Sequence, residues 1–351
     1  MRVVQYGVHD VHYPRNVRMR AFLTADLGAE VTVVERTRSG RKLSRAVADV
    51  LSLWRASRGA DVVVLSEFRL THAPVAWAVA RLRGAQLVVD HFVGLHETVV
   101  EDWATVRPGS LAARRLAAQD RLAARLADVC VTDTRPRAER LQELYGRPVL
   151  ALPVGAPEWA RPSAGSATRG DALRFLYYGN YLPLHGVPTI VEILAEVSRS
   201  RAVVAEFIGD GRDRSHVQEM VREVGLGGAV RFIDSVPETA LAEHIAAADV
   251  VFGVFGDSRK ARDVVPNKVW QGLACGKTTV TGDGPAVREL VEVVGRQLLV
   301  VDRTDAPAAA DAILGARADV ETAATAHTRL EQFTAAGYAR LAAALRPAST
   351  S

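Results

Sequence analysis

The sequence predicts an α/β protein with two doubly wound parallel-sheet domains. Short β-branched runs alternate with longer helical patterns along nearly all of the 351 residues. The runs are continuously apolar, as in strands that helices cover on both faces. One stretch rich in Pro, Gly, Ala and Ser, residues 155–171, interrupts this alternation. We therefore predict one domain over 1–155, a second over 172–330, and a C-terminal helix over 331–351 that is suited to pack back on the first domain.

The first half contains six predicted strands separated by helical segments such as NVRMRAFLTADLG and SLAARRLAAQDRLAARLA. In chain order the strands are RVVQYG, EVTVVE, DVVVLSE, AQLVVDH, DVCVTD and PVLALP. Parallel strands joined by helices cross over with one hand, which winds helices onto both faces of the sheet. Ligands of such sheets bind outside the carboxyl ends of the strands, so the residues that follow the strands are candidates for a site.

Composition indicates a globular protein without a disulfide framework. Hydrophobic residues make up 48% of the chain and charged residues 24%. The two cysteines, Cys130 and Cys275, lie far apart in apolar runs and form no metal-binding spacing. No apolar run approaches the ~18 residues of a membrane span, and the first residues lack the apolar stretch of a signal peptide. We expect a cytoplasmic protein that needs no metal.

Charge is distributed unevenly along the chain. Residues 1–150 hold 23 basic and 16 acidic side chains, a balance of +7, whereas residues 151–351 hold 21 and 24, a balance of −3. A basic half is suited to an anionic substrate, a membrane surface or nucleic acid. No zinc spacing, aromatic RNA-binding motif or lysine-rich tail supports nucleic acid. Alternatively, the excess basic side chains of residues 1–150 are ordinary solvated surface residues without a specific partner.

The arginine-rich segment SLAARRLAAQDRLAARLA, residues 110–127, is the candidate for membrane contact. A basic amphipathic helix can rest on anionic lipid, which would place the protein peripherally at the inner face of the membrane. An amphipathic surface helix with paired charges is the alternative interpretation.

The second half repeats the strand–helix alternation. Its predicted strands are LRFLYYG, AVVAEFIG, AVRFID, DVVFGVF, KTTVTG and RQLLVVD. Gly179 follows the first of these strands, and Gly209, Gly211 and Arg212 follow the second. One glycine after a strand is weak evidence, but glycines after successive strands favour a ligand that approaches the backbone closely.

Lysine is concentrated in one segment of this half. Forty of the 44 basic residues are arginine, yet three of the four lysines lie in KARDVVPNKVWQGLACGK, residues 260–277. We predict a loop carrying Lys260 and Arg262, then a helix that opens at Pro266 and stops at Gly276. A helix start flanked by cations favours an anion such as a diphosphate. A further helix opening at Pro285 is expected to converge on the same place, and Lys277 is interpreted as a surface residue.

These segments resemble retaining glycosyltransferases of the GT-B fold, which has two Rossmann-like domains, and are similar to glycosyltransferase family 4. The similarity is strongest over RFLYYGNYLPLHGV, VAEFIGDGRDRSHVQEMVREVGLGGAVRFIDSVP and VFGVFGDSRKARDVVPNKVWQGLACGKTTVTGDGPAVREL. It implies a nucleoside diphosphate sugar as co-substrate, bound by the second domain without a metal or other cofactor. The first domain would bind the acceptor, a hydroxyl of a natural product or of a glycan or lipid-linked precursor.

The chain departs from the family pattern at two pairs of positions. The family shows two glutamates separated by seven residues, where this chain has Asp263 and Gln271. The resemblance implies that the first contacts the donor sugar and the second the ribose hydroxyls. Asn180 and His185 stand where the family has an arginine and a lysine. We expect Lys260, Arg262 or Lys268 to supply the missing positive charge.

The resemblance, together with the strand ends, yields a set of candidate site residues. The candidate catalytic residues are Lys260, His91 and Asp263. The candidate donor-binding residues are Gly7, Gly179, Asn180, His185, Gly209, Gly211, Arg212, Pro237, Arg262, Pro266, Asn267, Lys268 and Gln271. The candidate acceptor-binding residues are His9, His12, Arg15, Asp90 and His96, with Glu67 and His72 as weaker ones.

Two other functions fit the same sequence. A GT-B sugar-nucleotide epimerase would need no separate acceptor, and the missing glutamate pair suits an inactive sugar-nucleotide-binding partner protein. The nucleotide, the sugar, the acceptor and the oligomeric state are left open by the sequence.

Overall fold

The computed structural model describes residues 1–37, 41–162, 171–316 and 320–345. These residues form two compact units. Unit 1 comprises Met1–Val154 together with the described residues from Thr334 onward, and unit 2 is Gly155–Phe333. The predicted linker, 155–171, belongs to the start of unit 2, and its residues 163–170 lie outside the described part of the chain.

Unit 1 is built on a parallel sheet of six strands in the order β2-β1-β3-β4-β5-β6. The strands are β1 (Arg2–Val8), β2 (Glu30–Glu35), β3 (Val62–Leu65), β4 (Gln86–Asp90), β5 (Val129–Thr132) and β6 (Leu150–Ala151). The helices are α1 (Pro14–Ala21), α2 (Lys42–Ala56), α3 (Ala73–Arg83), α4 (Leu111–Leu126) and α5 (Arg135–Tyr145). Because β2 lies on one side of β1 and β3 on the other, the chain changes direction of winding between β1 and β3. That point is where doubly wound sheets bind ligands.

Both faces of the unit 1 sheet are buried, which explains the continuously apolar strands. Along β3, Val63 and Leu65 pack in the core on one face, while Val62 and Val64 pack in the core on the other. The last helix, α13 (Val320–Ala344), supplies Tyr338 to the second of these cores. The C-terminal half of α13 is therefore an integral part of unit 1.

Unit 2 repeats the architecture with the strand order β12-β11-β10-β7-β8-β9. Its strands are β7 (Leu173–Tyr178), β8 (Val203–Ile208), β9 (Val230–Ile233), β10 (Val250–Phe252), β11 (Thr278–Gly282) and β12 (Leu298–Val301). Its helices are α6 (Val187–Ser198), α7 (Arg214–Glu223), α8 (Glu238–Ala247), α9 (Arg259–Asp263), α10 (Asn267–Ala274), α11 (Pro285–Val294), α12 (Ala306–Gly315) and the first part of α13. Here the winding reverses between β7 and β10. All twelve predicted strands are present, and the predicted fold class is confirmed.

An aromatic core holds β7 against its neighbours in unit 2. Phe175 of β7 stacks on Phe252 of β10 with ring centroids 5.5 Å apart, and Tyr177 packs against Phe207 of β8 at the same centroid distance. Tyr177 is fully buried, but it is the second-to-last residue of the strand. Its hydroxyl therefore reaches the carboxyl edge of the sheet, where the candidate site lies.

Candidate functional site

Gly179 opens a space at the carboxyl end of β7, at the reversal point of the unit 2 sheet. Its backbone has a φ of 133°, a conformation that side chains rarely adopt. A Cβ atom at this position would lie 3.1 Å from Nζ of Lys268 and 3.1 Å from Cε1 of His185. The missing side chain thus leaves room between a lysine ammonium and an imidazole.

Lys268 is a buried cation in the first turn of α10. Only 5% of the residue is exposed, and within the described part of the chain its Nζ has no hydrogen-bond partner. The ammonium lies 4.6 Å from the centroid of the Tyr177 ring, and this cation–π contact offsets part of its desolvation. Burial lowers the pKa of Lys268 to about 7. A buried charge without a carboxylate partner is unfavourable unless an anionic ligand supplies the missing partner.

His185 is a neutral hydrogen-bonding group on the other side of this space. Its Nδ1 lies 2.8 Å from the Tyr177 hydroxyl, which donates to the carbonyl oxygen of Asn180 at 2.9 Å. Burial, with the nearby Lys268 ammonium as the second cause, lowers the pKa of His185 to about 2. The imidazole therefore adds no positive charge to the site. Because the Tyr177 hydroxyl donates to Asn180, Nδ1 of the neutral ring is the donor in the contact with Tyr177, and Nε2 can only accept.

The start of α10 faces the same region through its backbone. Pro266 occupies the N-cap position, and no side chain caps this helix start, which Asn267 and Lys268 follow. The N–H groups of a first helical turn lack partners inside the helix and favour an anion. One turn later, Gln271 is also buried, and its Oε1 accepts a hydrogen bond from the Tyr178 hydroxyl at 2.8 Å. That bond leaves the amide NH2 of Gln271 available to donate.

The segment predicted as a loop before Pro266 is a short helix, α9. Ser258 caps it by accepting a hydrogen bond from the backbone N–H of Ala261 at 3.2 Å. Lys260 is half-buried on this helix and Asp263 is buried at its end. Arg262 is exposed and forms an ion pair with Asp257, so its charge is partly neutralised. The catalytic roles of Lys260 and Asp263 stay predictions.

The two glycines of the loop after β8 have a packing explanation that the sequence did not suggest. A Cβ at Gly209 would lie 2.2 Å from the carbonyl oxygen of Gly179, and one at Gly211 would lie 2.5 Å from the backbone nitrogen of Tyr181. Both glycines therefore permit packing of one loop on another, which is a sufficient reason for them without a ligand. Arg212 is exposed and pairs with the adjacent Asp213, and Pro237 is exposed before α8.

The loop after β7 also borders a cavity of about 350 Å³. Leu182, Pro183 and residues 186–189 and 255–257 line most of it, and none of its lining residues belongs to the predicted site. Lys277, for its part, donates from Nζ to the carbonyl oxygen of Ala246 at 2.6 Å. This half-buried contact corrects its interpretation as a surface residue.

In unit 1, two residues that were predicted to contact the acceptor, Arg15 and Asp90, form an ion pair with each other. Arg15 is fully buried and binds Asp90 with both ends of its fork, at 2.9 Å from Nε and 3.0 Å from Nη2. It also donates to the carbonyl oxygens of Thr132 and Leu152. We correct the prediction for Arg15 and Asp90, because the pair joins α1 to the end of β4 inside the core and leaves no free fork for an acceptor.

His91 follows Asp90 and is also buried, with 1% exposure. Its Nε2 lies 3.2 Å from the Tyr145 hydroxyl, while its Nδ1 has no partner among the described residues. Burial, then the charge of Arg137, lowers the pKa of His91 to about 4. The imidazole is therefore neutral, as is usual for a histidine in a hydrophobic core, and a catalytic role stays a prediction.

Gly7 lies near the end of β1, and His9 and His12 lie on the loop that follows. Gly7 has a φ of 79°, but a Cβ there would lie 2.7 Å from Cγ of Arg69. The Arg69 side chain thus fills the space that a side chain at Gly7 would need, which is a packing reason for this glycine, and its donor-binding role stays a prediction. His9 and His12 are exposed, whereas Nδ1 of His96 lies 3.3 Å from a carboxylate oxygen of Glu101.

Glu67 has a more distinctive environment than its sequence suggested. It is fully buried after β3, and its Oε1 accepts a hydrogen bond from Nδ2 of Asn16 at 2.7 Å. Burial, then the nearby Asp90 carboxylate, raises the pKa of Glu67 to about 7. His72 is half-buried, with Nδ1 2.8 Å from the Tyr6 hydroxyl.

Sequence reasoning missed the two tyrosines of β7. The Tyr177 ring supports Lys268, and the Tyr178 hydroxyl orients Gln271. The two tyrosines just before Gly179, at the end of a predicted strand, were the available signal, because side chains at a strand end reach the edge where ligands bind.

The predicted basic helix is observed as α4, capped by Ser110, with Arg114, Arg115, Arg121 and Arg125 exposed. Among the helices that the structure describes, none is long and apolar enough to cross a membrane. The described residues also contain no group of three or more His, Cys, Asp or Glu side chains suited to a metal ion.

Comparisons with known proteins agree with the geometry of unit 2. Residues 172–319 match the family model described as Glycosyl transferases group 1. No curated protein sequence matches the chain.

Three solved structures are similar over nearly the full length. Anabaena Alr3699/HepE in complex with UDP-glucose is 12% identical with a TM-score of 0.72, and covers 98% of this chain and 98% of that one. Sucrose-phosphate synthase from Thermosynechococcus elongatus is 16% identical with a TM-score of 0.71 and 98% coverage of both chains. The lipopolysaccharide outer core galactosyltransferase WaaB is 14% identical with a TM-score of 0.61, covering 98% of this chain and 99% of that chain. The fold is thus GT-B, and the residues that match the group 1 glycosyltransferase model lie within unit 2.

Proposed function

We propose that this protein is a retaining glycosyltransferase that moves a sugar from a nucleoside diphosphate sugar to an acceptor hydroxyl. The observation that carries the proposal is the buried Lys268 ammonium at the reversal point of the unit 2 sheet, which has no anionic partner among the residues that the structure describes. A diphosphate would supply that partner, and the uncapped start of α10 would add backbone donors. The match of residues 172–319 to the glycosyltransferase model supports this assignment.

In the proposed reaction the bond between the anomeric carbon and the diphosphate oxygen breaks, and its electron pair stays on the diphosphate. The acceptor oxygen bonds to the anomeric carbon on the same face, and its proton passes to the leaving diphosphate. Negative charge therefore grows on the diphosphate as the bond lengthens. A cation already in place stabilises that charge without reorganisation, which is the largest usual term in such catalysis.

Each residue around Gly179 has a proposed task in this reaction. Lys268 neutralises the diphosphate, and the neutral His185 ring, held by the Tyr177 hydroxyl, lines the space without adding charge. Gln271, oriented by Tyr178, donates from its amide to the nucleotide ribose or a neighbouring hydroxyl. Because Lys268 supplies the positive charge, we propose that turnover is independent of a metal ion.

The donor and acceptor are proposed by chemical class. Structures similar to this chain contain UDP and UDP-glucose, so uridine diphosphate sugars are the first donors to test. The acceptor class is a sugar or natural-product hydroxyl, and we propose a cytoplasmic location, with the exposed arginines of α4 as the side that would meet an anionic membrane.

Thermal shift measurements with nucleoside diphosphates and their sugars test the proposal. A ligand at a hundred times its dissociation constant stabilises the folded state by ~2.7 kcal/mol, which is enough to rank donors. We expect Lys268→Met to lose the shift and Lys277→Met to retain it, because Lys277 already has a carbonyl partner in the same unit. The proposal is wrong if no nucleoside diphosphate shifts the wild type, or if Lys268→Met responds as the wild type does.

Turnover assays complete the test. Release of nucleoside diphosphate should require an added acceptor and persist in excess EDTA. Isomerisation of the donor without an acceptor would instead identify an epimerase.

A further inference from the structure

Phe68 has an unusual backbone conformation for an aromatic residue. Two non-glycine residues in the described part of the chain have a positive φ, Phe68 at 62° and Ala104 at 51°. A bulky side chain in this left-handed region is a conformational outlier. The strain does not serve to bury the ring, because 42% of Phe68 is exposed. A strained residue that presents an apolar ring to solvent indicates a function outside folding.

Two buried neighbours hold Phe68 in this conformation. Glu67 is fully buried and bound to Asn16 at 2.7 Å. Arg69, 8% exposed, forms a salt bridge with Asp49 and lies 3.2 Å from Nδ1 of His72. With charged groups anchored inside the unit on both sides, the chain between them has to turn outward. Backbone strain persists in proteins where surrounding contacts determine it in this way.

Phe68 lies where the unit 1 sheet would bind a ligand. It follows β3, beside the carboxyl end of β1, at the reversal point of the winding. Its ring centroid is 5.8 Å from that of His9, with the two planes tilted by 49°. His9, Asp10 and His12, all on the loop after β1, are exposed. The exposed ring is therefore bordered by groups that donate or accept hydrogen bonds.

We propose that Phe68 and His9 form a platform on which a pyranose ring of the acceptor stacks. A pyranose has one apolar face of C–H groups and a rim of hydroxyls, which fits a single aromatic ring with a polar border. A lipid chain or a protein partner would need a wider apolar surface than this loop offers. That the pyranose belongs to the acceptor rests on the proposed function, whereas the platform itself rests on the geometry of unit 1.

Saturation-transfer NMR on the full chain tests the platform with defined probes. The probes are the methyl pyranosides of glucose, galactose and mannose, with glycerol as an acyclic control. We expect at least one pyranoside to receive saturation, strongest at its C–H face, and Phe68→Ala to reduce the signal at least fivefold. Phe68→Trp should retain it. Trp77→Ala, which removes another exposed aromatic ring from α3, should leave it unchanged.

A second measurement separates ring loss from misfolding. Glycine adopts a positive φ freely, so Phe68→Gly should melt a few degrees higher than Phe68→Ala, the reverse of the usual order. Ala104→Gly is the matched control: it should also raise the melting temperature and should retain pyranoside binding. If Phe68→Ala melts higher than Phe68→Gly, the strain argument is wrong.

The platform is excluded if no pyranoside gives a signal, if glycerol matches the pyranosides, or if Phe68→Ala binds as the wild type does. A panel of nucleoside diphosphates, UDP included, added to the same samples reports on unit 2 independently. Pyranoside binding without binding of any of these nucleotides would overturn the proposed function and leave the platform intact, and the opposite result would overturn the platform alone.

Discussion

The two units differ in whether their buried basic side chains have carboxylate partners. In unit 1, Arg15 is paired with Asp90, and Arg137 with Asp133 and Glu97, all inside the core. In unit 2, Lys268 is equally inaccessible but has no carboxylate partner among the described residues. The half of the chain with excess basic residues therefore has its buried cations neutralised, and the half with excess acidic residues keeps one unpaired.

On the proposed function, net charge is a poor guide to where the anion binds. What matters is whether a cation has already been paired within the fold, because a paired charge needs no ligand and an unpaired one gains most from it. The proposed function therefore assigns the unit 1 ion pairs to folding and Lys268 to donor binding. The predictions below test that division.

Breaking a unit 1 pair should produce the largest effect. Asp90→Ala leaves the Arg15 guanidinium buried without its partner, and loss of one member of a buried pair destabilises a protein by about 3–5 kcal/mol. Urea denaturation measures this loss. Glu196→Ala is the control, because it breaks the exposed Glu196–Arg199 pair, whose net contribution is about 0–1 kcal/mol. Similar losses in the two variants would show that Arg15–Asp90 contributes no more than a surface contact.

Removing the unpaired charge of unit 2 should have the opposite effect on stability. Lys268→Met keeps the volume of the side chain and removes a desolvated ammonium, so we expect unchanged or increased resistance to urea. Sugar transfer should fall by about 100-fold or more, because the developing charge on the diphosphate loses its cation. Steady-state kinetics and denaturation of the same preparation measure both. A destabilised variant with full activity would place Lys268 in the folding group with Arg15.

The pH dependence of donor binding sharpens the contrast. With the pKa of Lys268 near 7, the free protein loses this charge as the pH rises above neutrality, and affinity should fall by about tenfold per pH unit there. UDP-glucose is the suitable probe, since its phosphates do not titrate between pH 6 and 9. His185, with a pKa of about 2, does not contribute in this range. Calorimetry at pH 8 should detect proton uptake, and Lys268→Met should show neither effect.

The stability of the wild type should rise with pH in the range where its affinity for the donor falls. The pKa of Lys268 is lower in the folded state than its ordinary value of 10.5, so the unfolded chain binds more protons between about pH 7 and 10.5. The difference in stability between Lys268→Met and the wild type should therefore be largest below pH 7 and shrink as the pH rises through this window. A constant difference from pH 6 to pH 10 would contradict a depressed pKa.

Local sequence patterns were sufficient to predict the fold but not the pairing of charges. The strand VVVL of β3 is recognisable because both its faces are buried, so every residue is apolar. Nothing near Arg15 in the sequence indicates Asp90, which lies 75 positions away. The burial of Lys268 likewise depends on Tyr177, about 90 residues earlier in the chain.

Two local features also escaped the sequence analysis for physical reasons. Helix α9 is five residues long, too short to show a helical period, and was predicted as a loop. The positive φ of Phe68 has no sequence signal, because glycine or asparagine is the residue expected there. Such a conformation is set by Glu67 and Arg69 through contacts with distant residues.

The smallest expected effect comes from one capping contact that occurs in both units. Ser110 caps α4 and Ser258 caps α9, each accepting a backbone hydrogen bond at 3.2 Å, and replacing such a serine by alanine costs about 1 kcal/mol. Helix α4 has sixteen residues and packs in the unit 1 core, so Ser110→Ala should lower global stability and leave sugar transfer unchanged.

Helix α9 is barely one turn, and a single turn forms unfavourably without its cap. Ser258→Ala should therefore open α9 locally, with little change in denaturation but a several-fold loss of turnover, because Lys260 and Asp263 lose their scaffold. Full turnover in Ser258→Ala would remove α9 from the mechanism, and with it the predicted catalytic role of Lys260, while leaving the argument for Lys268 unaffected.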